Sequence, residues 1–99
     1  MTKLISETVF KKRVLKDLES LDQIYILKTQ ERSRRGVPDI LACFKGWFFA
    51  IELKRDGLKA DALQEHTLER IRQAEGFAIC TTPIEWDKHF AMIKEHPWK

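Results

Sequence analysis

The stretch from Gly36 to Lys54 places two acids and a lysine inside runs that otherwise suit a buried sheet. Ile40 to Phe44 and Trp47 to Leu53 are almost wholly apolar, β-branched or aromatic, and Lys45-Gly46 between them has the character of a hairpin turn. A two-residue turn fixes the register: Phe44 faces Trp47, Cys43 faces Phe48, and beyond the apolar pairs Asp39 faces Glu52. Strand alternation then returns Lys54 to the face that carries both carboxylates. Like charges opposed across a ladder destabilise it. The pair therefore calls for a compensating cation, and hard carboxylate oxygens suit magnesium or manganese.

A chain of 99 residues with 43% hydrophobic content has room for one core, so a single domain over residues 1–99 is expected. The formal net charge is only +3, but Lys28 to Lys59 holds eight basic residues against four acidic ones, which leaves the remainder slightly acidic. Positive potential gathered around the acidic pair suits a polyanion approaching a metal site. Cys43 and Cys80 lie in apolar, strand-like runs without C-x-x-C spacing and read as buried reduced thiols. No apolar run approaches the ~20 residues of a membrane span, and the amino terminus lacks a secretory pattern, so a soluble, cytoplasmic protein is expected.

Along the chain, Ser6 can cap a first helix in which Phe10, Val14, Leu18 and Leu21 form a buried stripe. Lys11, Lys12, Arg13 and Lys16 fall mostly off that stripe and read as a solvated face. Ile24 to Gln30 reads as a strand, followed by the basic loop Glu31-Arg32-Ser33-Arg34-Arg35-Gly36. Gly36 and Pro38 mark a defined turn before Asp39. The loop opens directly onto the acidic pair, which makes phosphate contact through Arg32, Ser33, Arg34 and Arg35 the preferred reading, joined by Arg55 and Lys59 past the hairpin. A second helix starts near Asp61, with Asp61 and Gln64 spaced as a capping box, Leu68, Ile71 and Ala74 facing inward, and Gly76 ending it. Phe77 to Thr81 is a strand parallel to the one ending at Leu53, and Thr82-Pro83-Ile84-Glu85 opens a last helix with Trp86, Phe90 and Ile93 inside. The order α-β-β-β-α-β-α makes a mixed α/β fold: a four-stranded mixed sheet flanked by helices.

The pattern P-D…E-x-K carries the chemistry. Asp39 and Glu52 can hold a metal, with the Leu53 backbone carbonyl as a third oxygen. A metal there polarises a phosphoryl oxygen and lowers the pKa of water. Lys54 offers a cation to the nucleophile or to the charge that develops on phosphate oxygens. In outline this is a site for phosphodiester hydrolysis.

Gly36-Val37-Pro38-Asp39-Ile40, Glu52-Leu53-Lys54 and Gln64 together resemble the VRR-NUC (virus-type replication-repair nuclease) domain of the PD-(D/E)xK nuclease superfamily. Nearly the whole chain is covered, because the restriction-endonuclease-like core of that family is α-β-β-β-α-β, and Glu7 matches by position the glutamate of its first helix. The resemblance implies Mg²⁺- or Mn²⁺-dependent DNA cleavage, with Asp39 and Glu52 as ligands, Lys54 catalytic, and Glu7 and Gln64 assisting. It also implies a standalone phage or bacterial protein, and a homodimer that cuts branched DNA as Holliday-junction resolvases do. The rival readings are a nickase or exonuclease on linear, flap or single-stranded DNA, a DNA-binding module without chemistry, and a domain that needs a helicase or repair partner in trans. For Glu7 and Gln64, helix-dipole and capping roles compete with a role in the site. His66, His89 and His96 share no ligand spacing. Trp47 and Phe48 read as core or dimer surface.

Overall fold

In a computed structural model, residues 5–29 and 36–95 are described. The elements are α1 (Glu7–Glu19), β1 (Ile24–Lys28), β2 (Ile40–Phe44), β3 (Trp47–Leu53), α2 (Ala62–Gln73), β4 (Phe77–Thr81) and α3 (Trp86–Glu95). The order is the one expected. Arg32, Ser33, Arg34 and Arg35, together with Gln30, lie outside the described residues.

One sheet runs β1-β2-β3-β4, antiparallel at the first two ladders and parallel at the last. Its register is set at Lys45-Gly46, where both residues have positive φ (54° and 85°). That is a type I′ turn, whose twist matches the strands it joins. Phe44 pairs with Trp47, Cys43 with Phe48 and Ile40 with Ile51, so Asp39 and Glu52 come next, opposite one another. β1 stops at Lys28, two residues short of the expected end, although the Thr29 N–H still donates to the Asp39 carbonyl at 3.0 Å.

Alternation sends Phe49, Ile51 and Leu53 to one face, where Phe10, Val14 and Leu18 of α1 and Trp86 and Ile93 of α3 bury against them. Each such side chain contributes about 1.5–3 kcal/mol on burial. The other face carries Ala50 and Ala78 beneath Leu68 of α2. α2 packs over β3 and β4, which leaves the β1–β2 half of that face open: Tyr25 is 70% exposed and Leu27 49%. Cys43 on this half is exposed and Cys80 only half-buried, which corrects the expectation of two buried thiols. An apolar strand shows that a sheet forms, not which half of its face a helix covers.

Two helix boundaries also differ from expectation. Gly76 does not supply the left-handed turn that ends α2. Glu75 does, at φ 71°, and the Gly76 N–H closes a Schellman bond of 2.9 Å to the Ile71 carbonyl. Gly76 is needed for space, since a Cβ there would lie 2.8 Å from Ile71 Cγ2. Ala74 is exposed rather than inward. Residues 83–85 form a turn, closed by Glu85 N–H to the Thr82 carbonyl at 3.0 Å, in which the Ile84 N–H donates to Asp56 Oδ1 at 2.9 Å, and α3 starts only at Trp86. Among the described residues, no helix is long and apolar enough to cross a membrane.

Candidate active site

Asp39 arrives at the edge of the sheet through Gly36 and Pro38. Gly36 has φ +84° and packs against the start of α2, where an added Cβ would meet Leu63 and Thr67 atoms at 3.0 Å. Thr29 Oγ1 donates to the Pro38 carbonyl at 2.6 Å and so ties this approach to β1. Asp39 Oδ2 then accepts the Leu53 N–H at 2.8 Å. This bond extends the β2–β3 ladder by a side chain and locks the carboxylate across from Glu52. Because the N–H and C=O of one strand residue point to the same side, the Leu53 carbonyl faces the edge that Asp39 occupies.

Glu52 is only 3% exposed, in the penultimate position of β3. Its Oε2 accepts from Gln64 Nε2 at 2.9 Å and lies 4.0 Å from Lys54 Nζ. Its Oε1 is buried and, among the described residues, has no hydrogen-bond partner. Burial foremost, and then the Asp39 charge, push the Glu52 carboxyl up to about 8, against a smaller downward pull from Lys54. A buried acid beside a second acid, with an orphaned oxygen, is the electrostatic signature of a site made for a cation.

The donor set fits Mg²⁺ or Mn²⁺. Glu52 comes from β3 and Asp39 from the residue just before β2, and the Leu53 carbonyl is turned toward Asp39. Among the described residues, no three His, Cys, Asp or Glu side chains converge on one point. Asp39, Glu52 and the Leu53 carbonyl are the groups that would hold such a cation, which would supply Lewis-acid chemistry toward phosphate oxygens.

Gln64 fills both roles for which it was a candidate. Its Oε1 accepts the Asp61 N–H at 2.9 Å and its backbone N–H donates to Asp61 Oδ1 at 2.8 Å, completing the capping box, while Nε2 reaches Glu52. The cap thus aims α2 at the acidic pair. Glu7, in the first turn of α1 behind the Ser6 cap, borders a cleft of about 210 Å³ with Asp39 and Leu53 and adds slightly to the upward push on Glu52. The same cleft is lined by Thr8 and Lys11. Lys11 was read from sequence as part of a solvated helix face. It lies one helical turn past Glu7, and that i, i+4 spacing was the signal available in the sequence.

Arg55 is exposed directly after Lys54, in a turn closed by Leu58 N–H to its carbonyl at 3.0 Å with Gly57 at φ +88°. Lys59 is exposed on the far side of that turn. His96 lies outside the described residues, and His89 shares a 2.7 Å hydrogen bond with buried Thr81 Oγ1.

No family model and no curated protein matches the chain. A solved structure of a VRR_NUC domain superposes with a TM-score of 0.73 at 24% identity, covering 91% of this chain and 95% of that one. With three helices on a four-stranded mixed sheet in the same arrangement, the chain has the fold of a VRR_NUC domain.

Proposed function

We propose that this protein is a metal-dependent DNA endonuclease that hydrolyses phosphodiester bonds at the Asp39–Glu52–Lys54 edge of the sheet. The observation that carries the reading is the Glu52 carboxylate, opposite Asp39 and beside Lys54, whose buried Oε1 has no hydrogen-bond partner among the described residues, in the fold of a nuclease-named domain. Asp39, Glu52 and the Leu53 carbonyl would hold Mg²⁺ or Mn²⁺. When bound, such a cation supplies Lewis-acid polarisation of a phosphoryl oxygen and a lowered pKa for water.

The chain's own residues do the rest. Gln64 fixes the Glu52 carboxylate through Oε2, so its ligating oxygens need little reorganisation. Lys54 presents its ammonium to the attacking water and to the non-bridging oxygens, where negative charge builds in the transition state. Lys11 and Arg55 flank the site with positive charge for the phosphates on either side. Glu7, across the cleft from Asp39, can accept a proton from incoming water.

A homodimer acting on branched DNA is the finer form of the proposal, set in the cytoplasm of a phage-infected or bacterial cell. Support for a second copy comes from Tyr25 and Leu27, exposed on the half-face that α2 leaves uncovered.

The test is a panel of labelled four-way junctions, flaps, plain duplexes and single strands, incubated with Mg²⁺ or Mn²⁺ alongside the solution mass. Symmetric cuts confined to the junction support a resolvase, and equal cutting of plain duplex replaces it with a nickase or exonuclease. If no substrate is cut with either metal, and Lys54→Ala binds DNA as well as the parent, the enzyme reading fails.

A further inference from the structure

A cleft of about 640 Å³ lies beyond the carboxyl ends of the parallel strands β3 and β4. Crevices at that end of parallel strands are where open α/β sheets take their ligands. Two loops form it, residues 56–60 after β3 and residues 82–85 after β4, tied together by the bond from Ile84 N–H to Asp56 Oδ1.

Its position relative to the candidate metal centre is fixed by the ladder. Cys80, which lines the cleft, is the direct partner of Glu52. Paired residues of neighbouring strands point to the same face, about 4.8 Å apart. The cleft thus borders the strand next to the one that carries Glu52, on the same face of the sheet.

Its chemistry disfavours phosphate. The walls are apolar, from Leu58, Ala60, Cys80 and Ile84, and two of these are unusually bare for aliphatic side chains: Ile84 is 80% exposed and Leu58 47%. The polar lining is mainly acidic, with Asp56, Glu65 and Glu85 against Lys59. Carboxylates repel a phosphodiester but accept hydrogen bonds from ring N–H and amino groups. A flat, neutral, largely apolar ring bearing N–H donors matches both properties.

We infer that this cleft receives an unpaired nucleobase from the nucleotide next to the phosphate held at Glu52 and Lys54, so that the enzyme reads an extrahelical or splayed base at its cutting site. The inference rests on the nuclease reading above. A stacked, paired base cannot enter, so an unpaired position beside the scissile phosphate favours cleavage, as at a junction or flap.

The test compares an oligonucleotide duplex carrying one unpaired adenine next to the scissile phosphate with the same duplex carrying an abasic site there. The parent is expected to cut the base-containing substrate about tenfold faster in kcat/KM, the effect of burying a modest apolar area. Ala60→Phe, which fills the cleft without touching the metal ligands, is expected to cut both at the same reduced rate. Equal cutting by the parent overturns the inference and leaves the nuclease reading intact. If nothing is cut, equilibrium binding of the two duplexes decides: tighter binding of the base-containing duplex by the parent but not by Ala60→Phe supports the pocket, and equal affinity overturns it.

Discussion

Replacing Glu52 by glutamine separates stability from function at one atom pair. In the folded protein the Glu52 carboxyl is pushed from 4.5 to about 8, by burial first and Asp39 second. The folded state therefore retains a proton that the unfolded chain releases. Stability from this group is complete below pH 4.5 and is lost as pH rises through about 8. At about 1.4 kcal/mol per pKa unit the shift sets a ceiling of roughly 5 kcal/mol above pH 8. The amide can still accept from Gln64, but it is itself a buried polar group and it leaves Lys54 without its carboxylate, so a net gain of about 2 kcal/mol is expected at pH 8. For a chain of this size that raises Tm by about 10 °C. Thermal unfolding in EDTA should show Glu52→Gln melting well above the parent at pH 8, with the difference shrinking toward pH 5. Mg²⁺ or Mn²⁺ should then stabilise the parent by mass action and the variant far less. Parent and variant melting alike at pH 8, or stabilised equally by metal, would refute the cation-site reasoning.

Other substitutions separate the roles of neighbouring groups. Lys54→Ala should lower single-turnover cleavage by about 10²–10³-fold, the cost of losing one preorganised charge in the transition state, while DNA affinity measured by anisotropy changes only a few-fold. Lys11→Ala should weaken DNA binding at all sequences and reduce the slope of log affinity against log salt by about 1, the mark of one lost phosphate contact; an unchanged slope places Lys11 outside the DNA path. Gly36→Ala forces an L-residue to φ +84° against Leu63 and Thr67 atoms 3.0 Å away. It should cost at least about 1–2 kcal/mol in urea unfolding, and full stability would show that the approach to Asp39 can relax.

Local chemistry made the hairpin legible from sequence. Lys45-Gly46 takes the left-handed conformations of a type I′ turn, and that single fact carries the opposition of Asp39 and Glu52. The stripe of Phe10, Val14 and Leu18 was readable because a helix buries one face, and all three are fully buried. Features that depend on what covers what were not readable. Cys43 occupies an apolar strand, yet α2 shields only the β3–β4 half of its face, so the thiol meets solvent. Lys11 lies off the buried stripe, but the edge where Asp39 emerges turns that part of α1 into the wall of a cleft. Thr82-Pro83 has the composition of a helix start, yet the Glu85 N–H closes a turn on the Thr82 carbonyl and the Ile84 N–H donates to Asp56, 28 residues earlier, a long-range contact that local composition does not show. Gln64 was ambiguous between cap and site because one amide has two ends, and the structure uses both.

The most direct measurement is single-turnover cleavage of a labelled four-way junction by the purified protein in EDTA, Mg²⁺ and Mn²⁺, with Asp39→Asn alongside the parent. The expected result is no product in EDTA, discrete cuts with at least one of the two metals, and loss of those cuts in Asp39→Asn despite retained folding and DNA binding. Cleavage that persists in EDTA, or an Asp39→Asn protein that cuts like the parent, would contradict a metal-dependent nuclease site at Asp39 and Glu52.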